Sequence, residues 1–148
     1  MKKVLVTGSL GYIGSVLTEY LEKKGFSVVG YDTGFFRDAL LYAPPSTETV
    51  LRDARDIDEK DIEGVDVLVH LAGISNDPLG KLDAARTYDP TRAYSARLAE
   101  LCKKKGIQFI FASSCSIYGV GQGELLDETS PVVHAFLRLA RQNLGRTR

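Results

Sequence analysis

Three glycines spaced three residues apart constrain the fold of this chain more than any other feature. Gly8 and Gly11 lie between two segments of different periodicity, and Gly14 lies near the start of the second segment. The first, Lys3–Thr7, is typical of a strand buried on both faces, and the second, Tyr12–Lys24, has apolar residues at helical spacing. In such a unit the first glycine permits a tight turn, the second lets a pyrophosphate approach the backbone, and the third lets the helix pack close to the sheet. The pattern predicts a phosphate-binding turn, and the alternative is a strand–helix turn that binds nothing.

The start of the predicted helix supplies the rest of such a site. The free N–H groups of a first helical turn point out of the helix, and the positive end of the helix dipole adds to their attraction for anions. The residues that we predict to bind the phosphates of a dinucleotide are Gly8, Gly11, Tyr12, Ile13 and Gly14.

An acidic residue at the end of the second predicted strand, Phe26–Asp32, indicates which dinucleotide is bound. Asp32 follows Gly8 at close to the expected distance of about 20 residues. A carboxylate there accepts hydrogen bonds from both ribose hydroxyls and repels a 2′-phosphate, which favours NAD over NADP. Arg37 would weaken this preference if it reached the site, but we interpret it as a solvated loop charge.

Strand-like and helix-like segments alternate along the rest of the chain. Further strands are predicted at Thr49–Arg52, Asp66–Leu71 and Gln108–Ser113. A long helix is predicted from about Asp83 to Lys105, with Pro90 breaking it or starting its main part. This alternation predicts an α/β fold: a Rossmann-like, doubly wound parallel sheet in three layers, truncated after about the fifth strand. We expect an NAD-binding domain over residues 1–133 and an Arg-rich tail, which could form one helix, over residues 134–148.

Composition narrows the class of protein. The chain has 148 residues, of which 44% are hydrophobic, and 19 basic residues balance 19 acidic ones. A net charge of zero argues against nucleic acid or a membrane surface as a partner. The two cysteines, without a signal-peptide pattern before them, fit reduced thiols, so we expect a cytoplasmic protein. With two histidines and two distant cysteines the sequence predicts no metal site, and His70, in an apolar strand, is interpreted as a core histidine.

Four further segments resemble a known family. They are Arg52–Ala54, His70–Gly73, Phe111–Gly119 with its Ser-Ser-x-x-x-Tyr-Gly pattern, and the acidic-then-proline stretch Asp127–Pro131. Together with the glycine turn they resemble the amino-terminal half of the extended short-chain dehydrogenases/reductases. The resemblance is to the NAD-dependent epimerases and dehydratases that act on nucleotide sugars.

The resemblance implies roles for individual residues. Asp53 is expected to meet the adenine amino group, Ser113 to lie near the nicotinamide, and Ser114 to be the catalytic hydroxyl that bonds the substrate oxygen. The remaining residues that the resemblance places against the cofactor are Ala54, Leu71, Ala72 and Gly73.

The chain departs from the family pattern at its catalytic centre. The family's Tyr-x-x-x-Lys pair would fall near Arg138 and Gln142, where neither residue type is present. Cys115 and Ser116 stand where sugar dehydratases carry an Asp-Glu pair, so epimerisation or simple oxidoreduction fits better than loss of water. A truncated product and a frame change after about Val133 are both compatible with these departures.

We therefore predict the NAD-binding portion of a nucleotide-sugar epimerase-like oxidoreductase, catalytically incomplete as this chain. The alternative from another class is a dinucleotide-binding sensor or partner-binding module without catalysis. A complete small enzyme using other residues is the third hypothesis. Because the fifth strand would leave an open sheet edge, we also expect a homo-oligomer.

Overall fold

The computed structural model describes residues 1–39, 46–73, 84–114, 118 and 125–131, with the backbone alone for residues 39 and 84–90. The chain divides into two compact units, Met1–Ala112 and Ser113–Arg148. The predicted domain boundary at residue 133 stays a prediction, and the predicted tail lies outside the described residues.

The first unit alternates strands and helices. Its strands are β1 (Lys3–Thr7), β2 (Ser27–Asp32), β3 (Thr49–Leu51), β4 (Val67–His70) and β5 (Gln108–Phe111). Its helices are α1 (Tyr12–Lys23) and α2 (Ala84–Lys105), with short 3₁₀ turns at Arg37–Ala39 and Ala54–Asp56. Each predicted strand and helix is confirmed to within two residues at the ends that the structure describes.

The five strands form one parallel sheet in the order β3-β2-β1-β4-β5. The order reverses between β1 and β4, because β2 and β3 lie on one side of β1, and β4 and β5 on the other. In register, Thr7 at the end of β1 pairs with Tyr31 in β2 and with His70 at the end of β4. The predicted doubly wound α/β fold is confirmed, and in such sheets ligands bind at the carboxyl ends of the strands where the order reverses.

Helices cover both faces of the sheet. On the first face, Leu17 and Leu21 of α1 pack against a cluster that contains Val4, Val6 and Val69. On the second face, Leu98 and Cys102 of α2 lie in a cluster built from the residues of β1, β2 and β4 that alternate with the first set. The result is the predicted three-layer arrangement.

The face of α1 that meets the sheet is made largely of small residues. Gly14, Ser15 and Thr18 are buried, whereas Val16 and Tyr20 are 58% and 56% exposed. Of the apolar residues whose spacing predicts this helix, Leu17 and Leu21 pack against the sheet, whereas Val16 and Tyr20 face outward.

The prediction that Pro90 interrupts the long helix is wrong, because α2 runs through residue 90 without a break. A proline within a helix removes one backbone hydrogen bond and crowds the preceding turn. The remaining bonds of this 22-residue helix hold the element together across that position. Within the described residues, no helix combines the length and the apolar character needed to cross a membrane.

Candidate dinucleotide-binding site

The turn between β1 and α1 folds back on β4. Gly8 has a φ of +74°, a conformation open mainly to glycine, and its N–H donates to the carbonyl of Tyr31 at 2.8 Å. A Cβ at Gly8 would lie 2.9 Å from the backbone nitrogen of Ala72. The turn therefore touches the segment after β4, which the sequence predicts as a second part of the same site.

Gly14 sets how closely α1 approaches the turn. A Cβ there would lie 2.0 Å from the carbonyl oxygen of Gly8, far inside any real contact. A Cβ at Gly11 would meet the same oxygen at 3.2 Å, which a small shift would relieve. Packing within the protein therefore requires glycine at position 14 much more strongly than at position 11. At position 11 the predicted reason for a glycine is that a side chain would take the space of a ligand.

The amino end of α1 has a partial positive charge that no side chain of its first turn neutralises. Its N-cap residue, Gly11, has no side chain to cap the helix, and the first turn carries no acidic residue. Tyr12 and Ile13 are 87% and 61% exposed at this end. The N–H groups of the first turn and the helix dipole therefore favour an anion at this end of the helix, and the predicted roles of Tyr12 and Ile13 stay predictions.

Asp32 points at this turn. One carboxylate oxygen accepts from the backbone N–H of Leu10 at 3.1 Å, and the other accepts from the N–H of Gly34 at 2.8 Å. Each carboxylate oxygen can accept two hydrogen bonds, so both keep capacity for a ligand hydroxyl. The structure brings Asp32 and the glycine turn together, as the ribose-binding prediction requires.

Asp53 lies two residues beyond β3 and is strongly engaged by Arg55. Its Oδ1 caps the short 3₁₀ turn through the N–H of Arg55 at 2.8 Å, and its Oδ2 accepts from Nη2 of the same residue at 2.6 Å. The hydrogen bonds from Arg55 hold the pKa of the Asp53 carboxyl below its usual range. Ala54 is buried at the start of the turn. The predicted adenine contact of Asp53 would have to share a carboxylate that Arg55 already occupies.

The segment after β4 is fixed on both sides of Ala72. The N–H of Leu71 donates to the carbonyl of Thr7 at 3.1 Å, and the N–H of Ala72 donates to the hydroxyl of Thr7 at 3.3 Å. The carbonyl of Ala72 accepts from the hydroxyl of Tyr94 at 2.5 Å. Both polar backbone groups of Ala72 are therefore satisfied within the protein, and Gly73 follows beside them.

His70 joins β1, β4 and α2 through its two ring nitrogens. Nδ1 lies 2.6 Å from the hydroxyl of Thr7, and Nε2 lies 2.9 Å from the hydroxyl of Ser95. Ser95 donates its only hydroxyl proton to the carbonyl of Thr91 at 2.7 Å, so its oxygen accepts from His70. His70 is therefore neutral with the proton on Nε2, and burial lowers its pKa to about 4. The interpretation of His70 as a core histidine is confirmed.

Sequence reasoning missed Tyr94 and Ser95, which hold this wall of the site. A signal for them exists, because residues 91, 94 and 95 continue the helical stripe that contains the buried Leu98 and Cys102. Polar residues on a buried stripe need partners, and here those partners are Ala72 and His70.

The second unit contains the predicted catalytic residue. Ser113 and Ser114 are exposed and begin this unit after β5 ends. Further along, Asp127 accepts from the N–H and the hydroxyl of Thr129 at 2.9 and 2.7 Å, and these bonds lower its pKa. Cys115 and Ser116 lie outside the described residues. The roles of Ser113 and Ser114 stay predictions.

In the part of the chain that the structure describes, no three His, Cys, Asp or Glu side chains are arranged to hold a metal ion.

Comparisons with known proteins agree with this geometry. The model of the family described as NAD dependent epimerase/dehydratase matches residues 4–136. The chain is 34% identical over 144 residues to the uncharacterized UDP-glucose epimerase YtcB of Bacillus subtilis strain 168, covering 86% of this chain and 45% of that protein. The chain therefore spans about half the length of the curated relatives it matches.

Solved structures extend the likeness to the fold. A UDP-glucose-4-epimerase from Stenotrophomonas maltophila, crystallised with bound NAD and formylated UDP-arabinopyranose, superposes with a TM-score of 0.82 at 22% identity, over 99% of this chain and 48% of that one. The UDP-N-acetylglucosamine 4-epimerase from Methanobrevibacter ruminantium M1 gives 0.79 at 25% identity, over 97% of this chain and 52% of that one.

Proposed function

The chain belongs to the NAD dependent epimerase/dehydratase family, and from that premise we propose that it binds NAD at the turn between β1 and α1. One observation carries the proposal above the others. The carboxylate of Asp32 bonds to Leu10 inside the glycine turn, directly beside a helix amino end that no side chain caps. An anion-binding surface and a carboxylate that accepts ribose hydroxyls are the two halves of an adenosine diphosphate site.

The residues present fit this cofactor. Gly8 adopts a positive φ in the turn, and Gly14 lets α1 come close to that turn. Backbone amides are therefore placed where a diphosphate can reach them. A wall of small or apolar residues follows β4, on the opposite side of β1 from Asp32. It consists of Leu71, Ala72 and Gly73. NAD supplies hydride-accepting chemistry when bound, and this chain's contribution is to hold and orient it.

The substrate class of the longer relatives supports a nucleotide sugar as the second ligand. Several relatives and structural neighbours are UDP-sugar epimerases by name, and two of those structures contain a bound UDP-sugar. On the family pattern, Ser114 would bond the sugar oxygen from which hydride is removed. Residues 134–148 contain neither tyrosine nor lysine, so the acid–base pair of that pattern has no carrier there. We infer that this chain alone binds the cofactor without turning over a sugar.

The proposal is tested by thermal unfolding with each dinucleotide. At a concentration about 100 times its Kd, NAD should stabilise the folded chain by about 2.7 kcal/mol, which for this size is a rise in Tm of roughly 5 to 10 °C. NADP should give a much smaller rise, because its 2′-phosphate would face Asp32. An unchanged Tm at millimolar NAD would contradict the proposal.

Two variants and one assay sharpen the test. Asp32→Asn should reduce the preference for NAD over NADP. Asp38→Asn removes an exposed carboxylate to which the proposal gives no role, and it should leave the preference unchanged. With NAD present, the chain should not interconvert UDP-glucose and UDP-galactose. Turnover would contradict catalytic incompleteness while leaving cofactor binding in place.

A further inference from the structure

A closed ring of hydrogen bonds joins α2 to the backbone of Ala72. On one side, the Ala72 N–H donates to the hydroxyl of Thr7 at 3.3 Å, and that hydroxyl lies 2.6 Å from Nδ1 of His70. The other nitrogen of the imidazole, Nε2, lies 2.9 Å from the hydroxyl of Ser95. On the other side, the hydroxyl of Tyr94 donates to the Ala72 carbonyl at 2.5 Å. Tyr94 and Ser95 are consecutive residues of α2, so the helix backbone closes the ring.

The direction of each hydrogen bond in this ring is determined. Ser95 gives its hydroxyl proton to the carbonyl of Thr91, so its oxygen accepts from Nε2 of His70 and Nδ1 is left as an acceptor. The hydroxyl of Thr7 therefore donates to Nδ1, and a lone pair of its oxygen accepts from the N–H of Ala72. The hydroxyl of Ser95 thus acts on Ala72 through two intermediate side chains.

Aromatic rings hold the imidazole of His70 in this orientation. The ring of Tyr94 meets it edge-on, with 5.2 Å between the centroids, and the rings of Phe109 and Phe111 in β5 lie 5.9 and 5.8 Å away. His70 and Thr7 are 1% and 0% exposed, so the hydrogen bond between them is shielded from water. The imidazole therefore transmits a change at one nitrogen to the other instead of absorbing it by rotation.

The position of the Ala72 backbone also affects the phosphate-binding turn. A Cβ at Gly8 would lie only 2.9 Å from the Ala72 nitrogen, so the two backbone segments are in close contact. A shift of Ala72 would therefore alter both the wall after β4 and the turn at which a diphosphate is proposed to bind. We propose that Tyr94 and Ser95 are positioning residues for cofactor binding, which hold the Ala72 backbone against the glycine turn through this ring. This inference rests on the proposed function, and it adds residues of α2 to a site otherwise built at the strand ends.

Hydrogen exchange at the Ala72 amide tests the ring without any ligand. Tyr94→Phe removes the bond to the carbonyl and keeps an aromatic ring against His70, and Ser95→Ala removes the acceptor of Nε2. Each should speed exchange of the Ala72 amide proton about fivefold, because each opens the ring by one hydrogen bond. Ser95→Thr, which keeps a hydroxyl, should exchange like the parent chain, and so should Tyr20→Phe, at an exposed tyrosine of α1. Unchanged exchange in both test variants would overturn the inference.

Affinity for NAD tests whether the ring serves the site. Tyr94→Phe and Ser95→Ala should each raise the Kd about fivefold, within the range expected when one hydrogen bond is lost. Opening the ring at either point releases the same peptide, so the double variant should also show an increase of about fivefold instead of the roughly 25-fold of two independent effects. A role in stability alone would lower the Tm and leave the Kd unchanged. That result, or independent effects in the double variant, would overturn the inference.

The two proposals fail in different ways. If the parent chain does not bind NAD in calorimetry, the proposed function fails, and the role of the ring in cofactor binding fails with it. If the parent chain binds NAD and both single variants bind it with the same Kd, only the positioning role is refuted. If Ser95→Ala does not fold, Tyr94→Phe and its control Tyr20→Phe decide the question, because Tyr94→Phe leaves the hydrogen bonds of His70 in place.

Discussion

At the scale of single residues, Gly14 and Gly73 separate what the fold requires from what a ligand requires. A methyl group at Gly14 would overlap the carbonyl oxygen of Gly8 at 2.0 Å, whereas one at Gly73 would meet Thr91 at 3.5 Å, an ordinary contact. We expect Gly14→Ala to lower the free energy of unfolding by about 3 kcal/mol, because backbone must move. Gly73→Ala should change it by less than about 0.5 kcal/mol.

Urea unfolding and NAD titration measure the two effects. Gly73→Ala should unfold like the parent chain yet bind NAD more weakly, since the added methyl group would take up space beside Ala72 that we propose for the cofactor. Normal affinity in Gly73→Ala would remove that residue from the proposed site. Normal stability in Gly14→Ala would show that α1 can move away from the turn.

His70 predicts how stability depends on pH. Burial lowers its pKa in the folded chain to about 4, below the unfolded value near 6.5. Between these values the unfolded chain binds a proton that the folded chain does not, so stability falls as the pH decreases from about 6.5 to about 4. From pH 7 to pH 5 the group should account for a loss of about 2 kcal/mol.

Denaturant unfolding of the parent chain and of His70→Gln at both pH values isolates this contribution. The variant should lose less stability than the parent chain on acidification, and His134→Gln serves as the control at the other histidine. Nitrogen NMR should show a neutral His70 with its proton on Nε2 from pH 5 to pH 8. An imidazolium signal at pH 6 would contradict the network with Thr7 and Ser95.

At the scale of elements, β5 is the strand through which we expect the chain to self-associate. Within the described residues it pairs with β4 alone, and Ile110 on it is 44% exposed. An open edge of this kind pairs readily with another chain. We expect concentration-dependent self-association in sedimentation, weakened by Ile110→Lys because a charge at an edge discourages pairing.

Val16→Lys is the matched control, since it places the same charge on another exposed apolar residue, in α1. A monomer at every concentration would refute the expectation. If only the α1 variant dissociates the oligomer, the interface lies on α1 and not on β5.

The elements themselves could be predicted from the sequence because their periodicity is strong. The aliphatic run of β1 and the glycines that follow α1 and α2 place those elements almost to the residue. Pro90 could not be interpreted correctly, since its local effect opposes a helix that the rest of α2 stabilises. The close approach of Gly14 to Gly8 was equally out of reach, because only the folded chain creates that contact.

At the scale of the whole molecule, the sequence was sufficient for the sheet and for half of the site. Glycine spacing and the carboxylate of Asp32 predict a turn and an acceptor that the structure places together. Ala72 and His70 each have one partner from β1 and one from α2, in every case more than 20 residues away, and no local pattern joins them. The occupation of Asp53 by Arg55 is a matter of side-chain geometry that spacing does not reveal.

The N–H of Ala72 is used by Thr7, and its carbonyl, which already accepts from Tyr94, keeps one lone pair for a guest. A molecule lying along that stretch therefore finds one acceptor position at Ala72, and its thickness and contour decide the rest of its fit. Cofactor analogues of equal shape should differ at this wall only where they gain or lose a hydrogen-bond donor, while a bulkier ring would be excluded.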